Sequence, residues 1–287
     1  MPGKRYIHAG CASFAFPCDV TVPTVRDFLD ILQRLTPPRL AEDWDNVGLL
    51  VGDPGQDIRS VLVALDPALP LLDQARAGGH NLLLTHHPAI FRPLKALRTD
   101  TPIGAFLAGA ARLDISVIAC HTNLDAVQGG VSDVLAAALG LDRVRPLVAA
   151  GDCDPGCGLG RIGVLAEAVT AADFLVRLRR ACAPPWILEA GPRPQRVRQV
   201  AVCGGSCGDF AETALALGAD VFVTAEVKHS VARWAEDAGL WLLDAGHFAT
   251  EYPAMRVLSD LLRRHCADQG WPLAIDTAEQ HPPLRLA

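Results

Sequence analysis

The sequence predicts an α/β fold: two interlinked lobes, each with a mostly parallel sheet covered by helices. Three observations carry this expectation. From residue 60 onward, short apolar runs alternate with stretches of helical spacing. Most of those runs are continuously apolar, the pattern of strands buried on both faces of a sheet. The chain has 287 residues, half of them hydrophobic, enough apolar material for one large or two modest cores.

Residues 1–22 show no periodic apolar face, and His8, Gly10 and Pro17 interrupt any signal-peptide core, so they read as a disordered tail. Regular structure is expected from "TVRDFLDILQRL", where Val25, Phe28, Leu29, Leu32 and Leu35 follow helical spacing behind a Thr24 cap. "SVLVALD" is a β-branched strand, and "ALPLLDQARAGG" a helix closed by glycines. "NLLLTHH" and "ISVIACHTNLDA" are strands, each followed by a helix, "PIGAFLAGAARLD" and "VSDVLAAALGL". In the middle, "DCDPGCGLGRIGVLAEAV" passes from a loop into a strand, "AADFLVRLRRACA" is a helix and "PPWILEAGPRPQ" a proline-rich connection. The alternation then resumes through "VRQVAVC", "DFAETALALGA", "DVFVTAE", "VARWAEDAG" and "LWLLDAGHF", ending in the long helix "YPAMRVLSDLLRRHCADQ". The expected division is 23–129 plus 241–287 for the first lobe and 130–240 for the second.

A net charge of -6 argues against a nucleic-acid surface, which normally shows a basic stripe. No apolar run reaches the ~18 residues of a spanning helix, so no membrane partner is expected. The nine cysteines lack the density of a disulfide scaffold, and reduced thiols in a cytoplasmic protein are the expectation. Two pairs, Cys153/Cys157 and Cys203/Cys207, have CxxxC spacing, whereas zinc ribbons usually use CxxC. "GLGRIG" (Gly158 to Gly163) matches a dinucleotide fingerprint formally, but a strand follows it instead of a helix, which rejects it. "VAVCGGSCGDFAETA" has the order strand, glycine turn, helix. It reads equally as an anion site at a helix start and as a turn that needs glycine for its backbone.

The informative residues are those at strand ends. "NLLLT" runs into His86 and His87, with Pro88 breaking the pairing. "ISVIAC" runs into "HTNLDA", which supplies Asp125, and "LWLLDAG" into "HFATE", with His247 and Glu251 four residues apart on a new helix face. In open α/β sheets, ligands bind beyond the carboxyl ends of strands. Imidazole and carboxylate suit Zn, Fe, Mn, Co or Ni. Five such ligands exceed the three of one open catalytic zinc and fit two divalent transition-metal ions bridged by carboxylate, hydroxide or water.

With "AEDWDNVGLLVGDP", "LLLTHHPAIF", "HTNLDA", "DVFVTAEVKH" and "DAGHFATE" in this order, residues 23 to 285 resemble the Nif-three-like family, also described as GTP cyclohydrolase 1 type 2 homologues. The resemblance implies a two-lobed α/β fold, a dinuclear metal centre and a toroidal homohexamer with metal sites facing an interior cavity. It implies as metal ligands the same His86, His87, Asp125, His247 and Glu251. Where the family often has a serine-glycine turn, this chain has "CGGSCGD", and the stretch from Asp125 to His247 is too short for the extra domain of some members.

Such a site implies metal-assisted hydrolysis of a nucleotide or another phosphorylated small molecule. His121, Asp45 and Glu226 are the expected proton-transfer or supporting groups, and His229 and Lys228 the expected contacts to an anionic substrate. The alternatives are a non-enzymatic protein of metal storage or delivery, and a partner-binding protein stabilised by its metal.

Overall fold

The computed structural model describes residues 22–151 and 155–287; the expected tail, apart from Val22, and Cys153 lie outside the described residues. Helix α1 (Val25–Leu35) opens on a capping box. The Asp27 amide donates to the Thr24 hydroxyl, and the Thr24 amide donates to the Asp27 carboxylate. Its buried face is Val25, Phe28, Ile31 and Leu32. Strands β1 (Gly48–Val51), β2 (Ser60–Ala64), β3 (Leu82–Thr85) and β4 (Ser116–Ala119) follow, with helices α2 (Leu69–Gly78) and α3 (Pro102–Arg112) on the crossovers. After β4 come the short α4 (Thr122–Ala126) and α5 (Val131–Ala138).

The second half contains β5 (Leu141–Ala149), β6 (Gly158–Val169), α6 (Ala171–Cys182), β7 (Leu188–Ala190), β8 (Val197–Val202), α7 (Ala211–Ala216), β9 (Val221–Thr224), α8 (His229–Ala238) and β10 (Trp241–Asp244). The 22-residue α9 (His247–Asp268) and β11 (Ala274–Thr277) complete the chain's elements. The five-stranded sheet has the order β1-β4-β3-β2-β11 and the six-stranded sheet β5-β6-β8-β9-β10-β7.

In the first sheet β4, β3, β2 and β11 run parallel, with β1 added antiparallel at the edge. Its strands are buried on both faces. Val63, Leu84 and Ile118 pack in the core with α1 and α9, while Leu62, Leu83 and Val117 pack with α2 and α3 on the other face. The second sheet departs from the mostly parallel expectation. β8, β9 and β10 are parallel, but β5, β6 and β7 join antiparallel. Strand β5 is half-exposed, as an antiparallel edge tolerates and a covered parallel sheet does not.

The expected lobe boundary also moves. β10, assigned above to the first lobe with 241–287, pairs between β9 and β7, and Trp241, Leu243 and Ala245 belong to the second core. The chain returns only after Asp244. Helix α9 makes the crossing: Ala249 packs in the second core, and Met255, Leu258 and Leu262 in the first. Among the described residues, no helix is long and apolar enough to cross a membrane.

Candidate metal centre

The carboxyl ends of both sheets face one cavity of about 690 Å³. From the first sheet come Asp66 just after β2, His86 and His87 after β3, and His121 after β4. From the second come Cys203 after β8 and His247 after β10 at the first position of α9, with Glu226 after β9 bonded to the His247 ring. Glu251 sits one turn further along α9 and is buried; Asp125 projects from α4. The strand-end logic of the sequence therefore holds in space, from two sheets at once.

Four imidazoles share one design. In each, Nδ1 is held by an oxygen, and Nε2 is left for the cavity. His86 Nδ1 donates to the Cys120 carbonyl at 2.9 Å, which fixes its tautomer and leaves an Nε2 lone pair. His87 Nδ1 meets Asp66 Oδ1 at 2.7 Å, His247 Nδ1 meets Glu226 Oε1 at 2.9 Å, and His121 Nδ1 meets Asp45 Oδ1 at 2.8 Å. Asp45 also accepts from the Thr122 amide at 3.0 Å and from the Thr122 hydroxyl. Burial works against the Asp45 charge, but the bonds from His121 and Thr122 outweigh it and hold the carboxyl well below the usual carboxylate range.

At the centre, like groups face one another. His87 Nε2 and His247 Nε2 are 3.2 Å apart. Glu251 Oε2 lies 3.2 Å from the first and 2.9 Å from the second, yet it makes no aligned hydrogen bond. His86 Nε2 is 3.6 Å from Asp125 Oδ1 and 3.8 Å from Glu251 Oε1. His86 Nε2, Asp125 Oδ1 and Glu251 Oε2 are buried polar atoms without a hydrogen-bond partner. Orphaned donors and acceptors of this kind are rare in protein interiors and call for an ion or water between them. Two overlapping ligand groups result, His86/His87/His121 and His87/His247/Glu251; within each, the ligand atoms lie within 4.8 Å of one another. The nitrogen and carboxylate donors, their spacing and their empty valences fit divalent transition-metal ions.

Electrostatics agree. Burial opposes charge on His87, but the Asp66 and Glu251 carboxylates prevail and raise it to about 10. His247 is raised to about 9: burial again opposes, and Glu251 outweighs it. Glu251 is held ionised in spite of its burial by the three imidazoles, whereas burial pushes Asp125 up.

His86, His87, Asp125, His247 and Glu251 are thus brought together. Glu226 and Asp45 are placed as holders of imidazoles, and His121 joins the ligand cluster itself. Trp44 and Phe91, both more than 40% exposed, form an aromatic wall beside His121, with ring centroids 5.7 Å apart. Lys228 pairs with Asp209 at 3.6 Å on the rim, and His229 begins α8 as an exposed side chain outside the cavity lining. The residue that sequence reasoning missed is Asp66. Its signal was present, since it too follows a strand, at the end of "SVLVALD".

The chain is similar to known proteins along most of its length. The family model described as Duf34/NIF3 (NGG1p interacting factor 3) matches residues 23–283. A protein of Streptomyces coelicolor called GTP cyclohydrolase 1 type 2 homolog is 36% identical over 266 residues, covering 90% of this chain and 92% of the relative. One of the same name from Clostridium perfringens is 31% identical over 239 residues, 83% of this chain and 91% of the relative. The fold is shared with a crystal structure of a Bacillus cereus protein related to NIF3. Its TM-score is 0.87 at 23% identity, covering 93% of this chain and 100% of that one.

Proposed function

This chain belongs to the Duf34/NIF3 family, and from that premise we propose that it is a metal-dependent hydrolase of a nucleotide or another phosphorylated small molecule. Two divalent transition-metal ions per chain would be held by His86, His87, Asp125, His247 and Glu251, with His121 at the edge of the set. The observation that supports this most directly is the trio of buried, partnerless atoms on His86, Asp125 and Glu251.

The chemistry such ions supply when bound is Lewis acidity at a substrate oxygen. The chain's own residues do the rest. Asp66, Glu226, Asp45 and the Cys120 carbonyl hold each imidazole in one orientation. His121, clamped by Asp45, presents Nε2 to the cavity and can carry a proton there. Trp44 and Phe91 give a planar apolar wall, and the cavity volume is in the range of small-molecule sites. The relatives' shared name supports a nucleotide as the first substrate to try.

The test has two parts. Plasma mass spectrometry on gently purified protein should find about two transition-metal ions per chain, absent from the His86→Ala/His87→Ala variant. Nucleotide turnover should be lost in Asp125→Ala and Glu251→Ala. Bound, exchangeable metal without turnover would favour metal storage or delivery instead. Protein that stays folded and binds no added zinc, iron or manganese would overturn the metal centre.

Assembly and location belong to the same reading. Exposed Leu94 and Leu97 are large apolar side chains of the kind that oligomers cover, which supports a homo-oligomer, and the family resemblance makes the hexamer the form to test. Light scattering measures it directly. The free cysteines among the described residues support a reducing, cytoplasmic compartment.

A further inference from the structure

We propose that Cys203 and Cys207 form an oxidisable dithiol on the wall of the metal cavity, a modification site that hydrogen peroxide closes into an intramolecular disulfide. Both residues line the cavity. Cys203 follows β8 directly and is fixed by its amide, which donates to the Val223 carbonyl at 2.9 Å. The chain then turns back through Gly204 and Gly205. The Cys207 amide donates to Thr224 Oγ1 at 3.2 Å, and its thiol donates to the Gly204 carbonyl at 3.3 Å. That carbonyl belongs to the residue next to Cys203, so one short turn carries both sulfurs. Cys120, Cys157, Cys182 and Cys266 are buried elsewhere and do not line this cavity. Two thiols carried on one short turn beside an accessible cavity are placed to be joined by an oxidant.

The step balances with one peroxide. The partly exposed Cys207 sulfur attacks peroxide, breaking the O–O bond and leaving a sulfenic acid and one water. Cys203 sulfur then attacks the sulfenic sulfur, forming the S–S bond and releasing the second water. The sulfurs are oxidised by two electrons, and peroxide is reduced by two. The bond from Cys203, burial and the Asp125 and Glu251 charges push the Cys207 thiol up, so the reaction is that of a slow thiol. The neighbouring thiol, not high reactivity, makes the disulfide the product.

Closing this bond acts on the metal ligands through the turn between the cysteines. Gly205 has φ +73°, and a Cβ there would lie 2.2 Å from Glu251 Oε1 and 3.3 Å from His247 Nε2. Its amide donates to Thr250 Oγ1 at 3.1 Å. The turn passes close to the carboxylate and imidazole, so drawing the two sulfurs into a bond moves it relative to them. Oxidation therefore lowers affinity for a divalent cation.

The experiment treats metal-free, full-length protein with excess hydrogen peroxide, removes the oxidant with catalase, and blocks remaining thiols with iodoacetamide. Trypsin cuts after Arg198 and Lys228, so peptide 199–228 carries Cys203, Cys207 and no other cysteine. The expected product is this peptide without either adduct and two hydrogens lighter than the dithiol. A phosphine reductant restores it, and Cys207→Ser shows only an alkylated Cys203. Manganese bound by oxidised protein should fall and recover on reduction, with no such change in Cys207→Ser. A wild-type peptide alkylated at both positions, or one with Cys207 overoxidised and Cys203 alkylated, overturns the dithiol. Unchanged manganese binding after disulfide formation overturns its coupling to the metal site. If reduced protein binds no manganese, zinc or iron, the metal reading and the coupling fall together, while the peptide still decides the dithiol.

Discussion

An imidazole serves a metal in only one orientation, and at each histidine of this cavity one oxygen on Nδ1 sets it. Asp66 is the test case, because it was not singled out from the sequence and its contact with His87 spans 21 residues. Asp66→Ala should weaken manganese binding on the order of 10–100-fold, the usual cost of losing an orienting partner. Thermal stability should change little, since the Asp66 side chain is 39% exposed. Calorimetric titration beside a melting curve separates the two, and an unchanged affinity removes Asp66 from the site. The contrast with His86, His87, Asp125, His247 and Glu251 explains what was legible. Those five combine ligand chemistry with a strand end or a helical i,i+4 spacing, both visible in one dimension. Asp66 is an ordinary carboxylate until the neighbouring strand brings His87 beside it. His121 was legible as a functional residue but not as a member of the ligand cluster, because that depends on how α4 leaves β4.

Elements with continuous apolar runs or clear caps were legible: α1, β2, β3, β8 and β9 fall where the pattern puts them. Strand β5 was not singled out, because charged residues and Pro146 interrupt it and Arg143 has φ 51°. The junction of α2 and β3 makes a measurable prediction of its own. His80, just after the left-handed Gly79 cap, is 7% exposed and has no partner for Nδ1. Its Nε2 lies 3.6 Å from Asp276 on β11. Burial lowers its pKa, and the Asp276 charge only partly offsets this. With the folded pKa below the ordinary value of about 6.5, the unfolded chain takes the proton first, and stability falls as pH drops through that value. Melting temperature should therefore decline from about pH 7 to pH 5, and less steeply in His80→Asn, which cannot titrate. Parallel slopes would show that His80 does not contribute.

One buried cation braces the second lobe and reaches the segment before it. Arg161 on β6 is 1% exposed and makes a two-pronged contact with Asp133 of α5, at 2.8 and 2.7 Å. It also donates to the carbonyls of Gly158, Gly160 and Val127, the last just beyond the helix that carries Asp125. Arg161→Ala should cost roughly 3–5 kcal/mol in urea unfolding by stranding Asp133, and Arg161→Lys should not restore it. A loss below about 1 kcal/mol, the range of surface pairs, would refute this role. That there are two lobes was legible from the sequence; the crossing point after Asp244 was not, because β10 and α9 read as one continuous return. The same topology sets an order of assembly. The second sheet is contiguous in the chain, whereas β2 waits for β11, and His86 and His87 wait for His247 and Glu251. As the ribosome delivers the chain from its amino end, the second lobe can close early, while the four strands of the first leave an open edge at β2. The candidate ligands come together only when α9 emerges, so the site is among the last features of the chain to form, and any factor that shields the nascent chain must cover that edge until then.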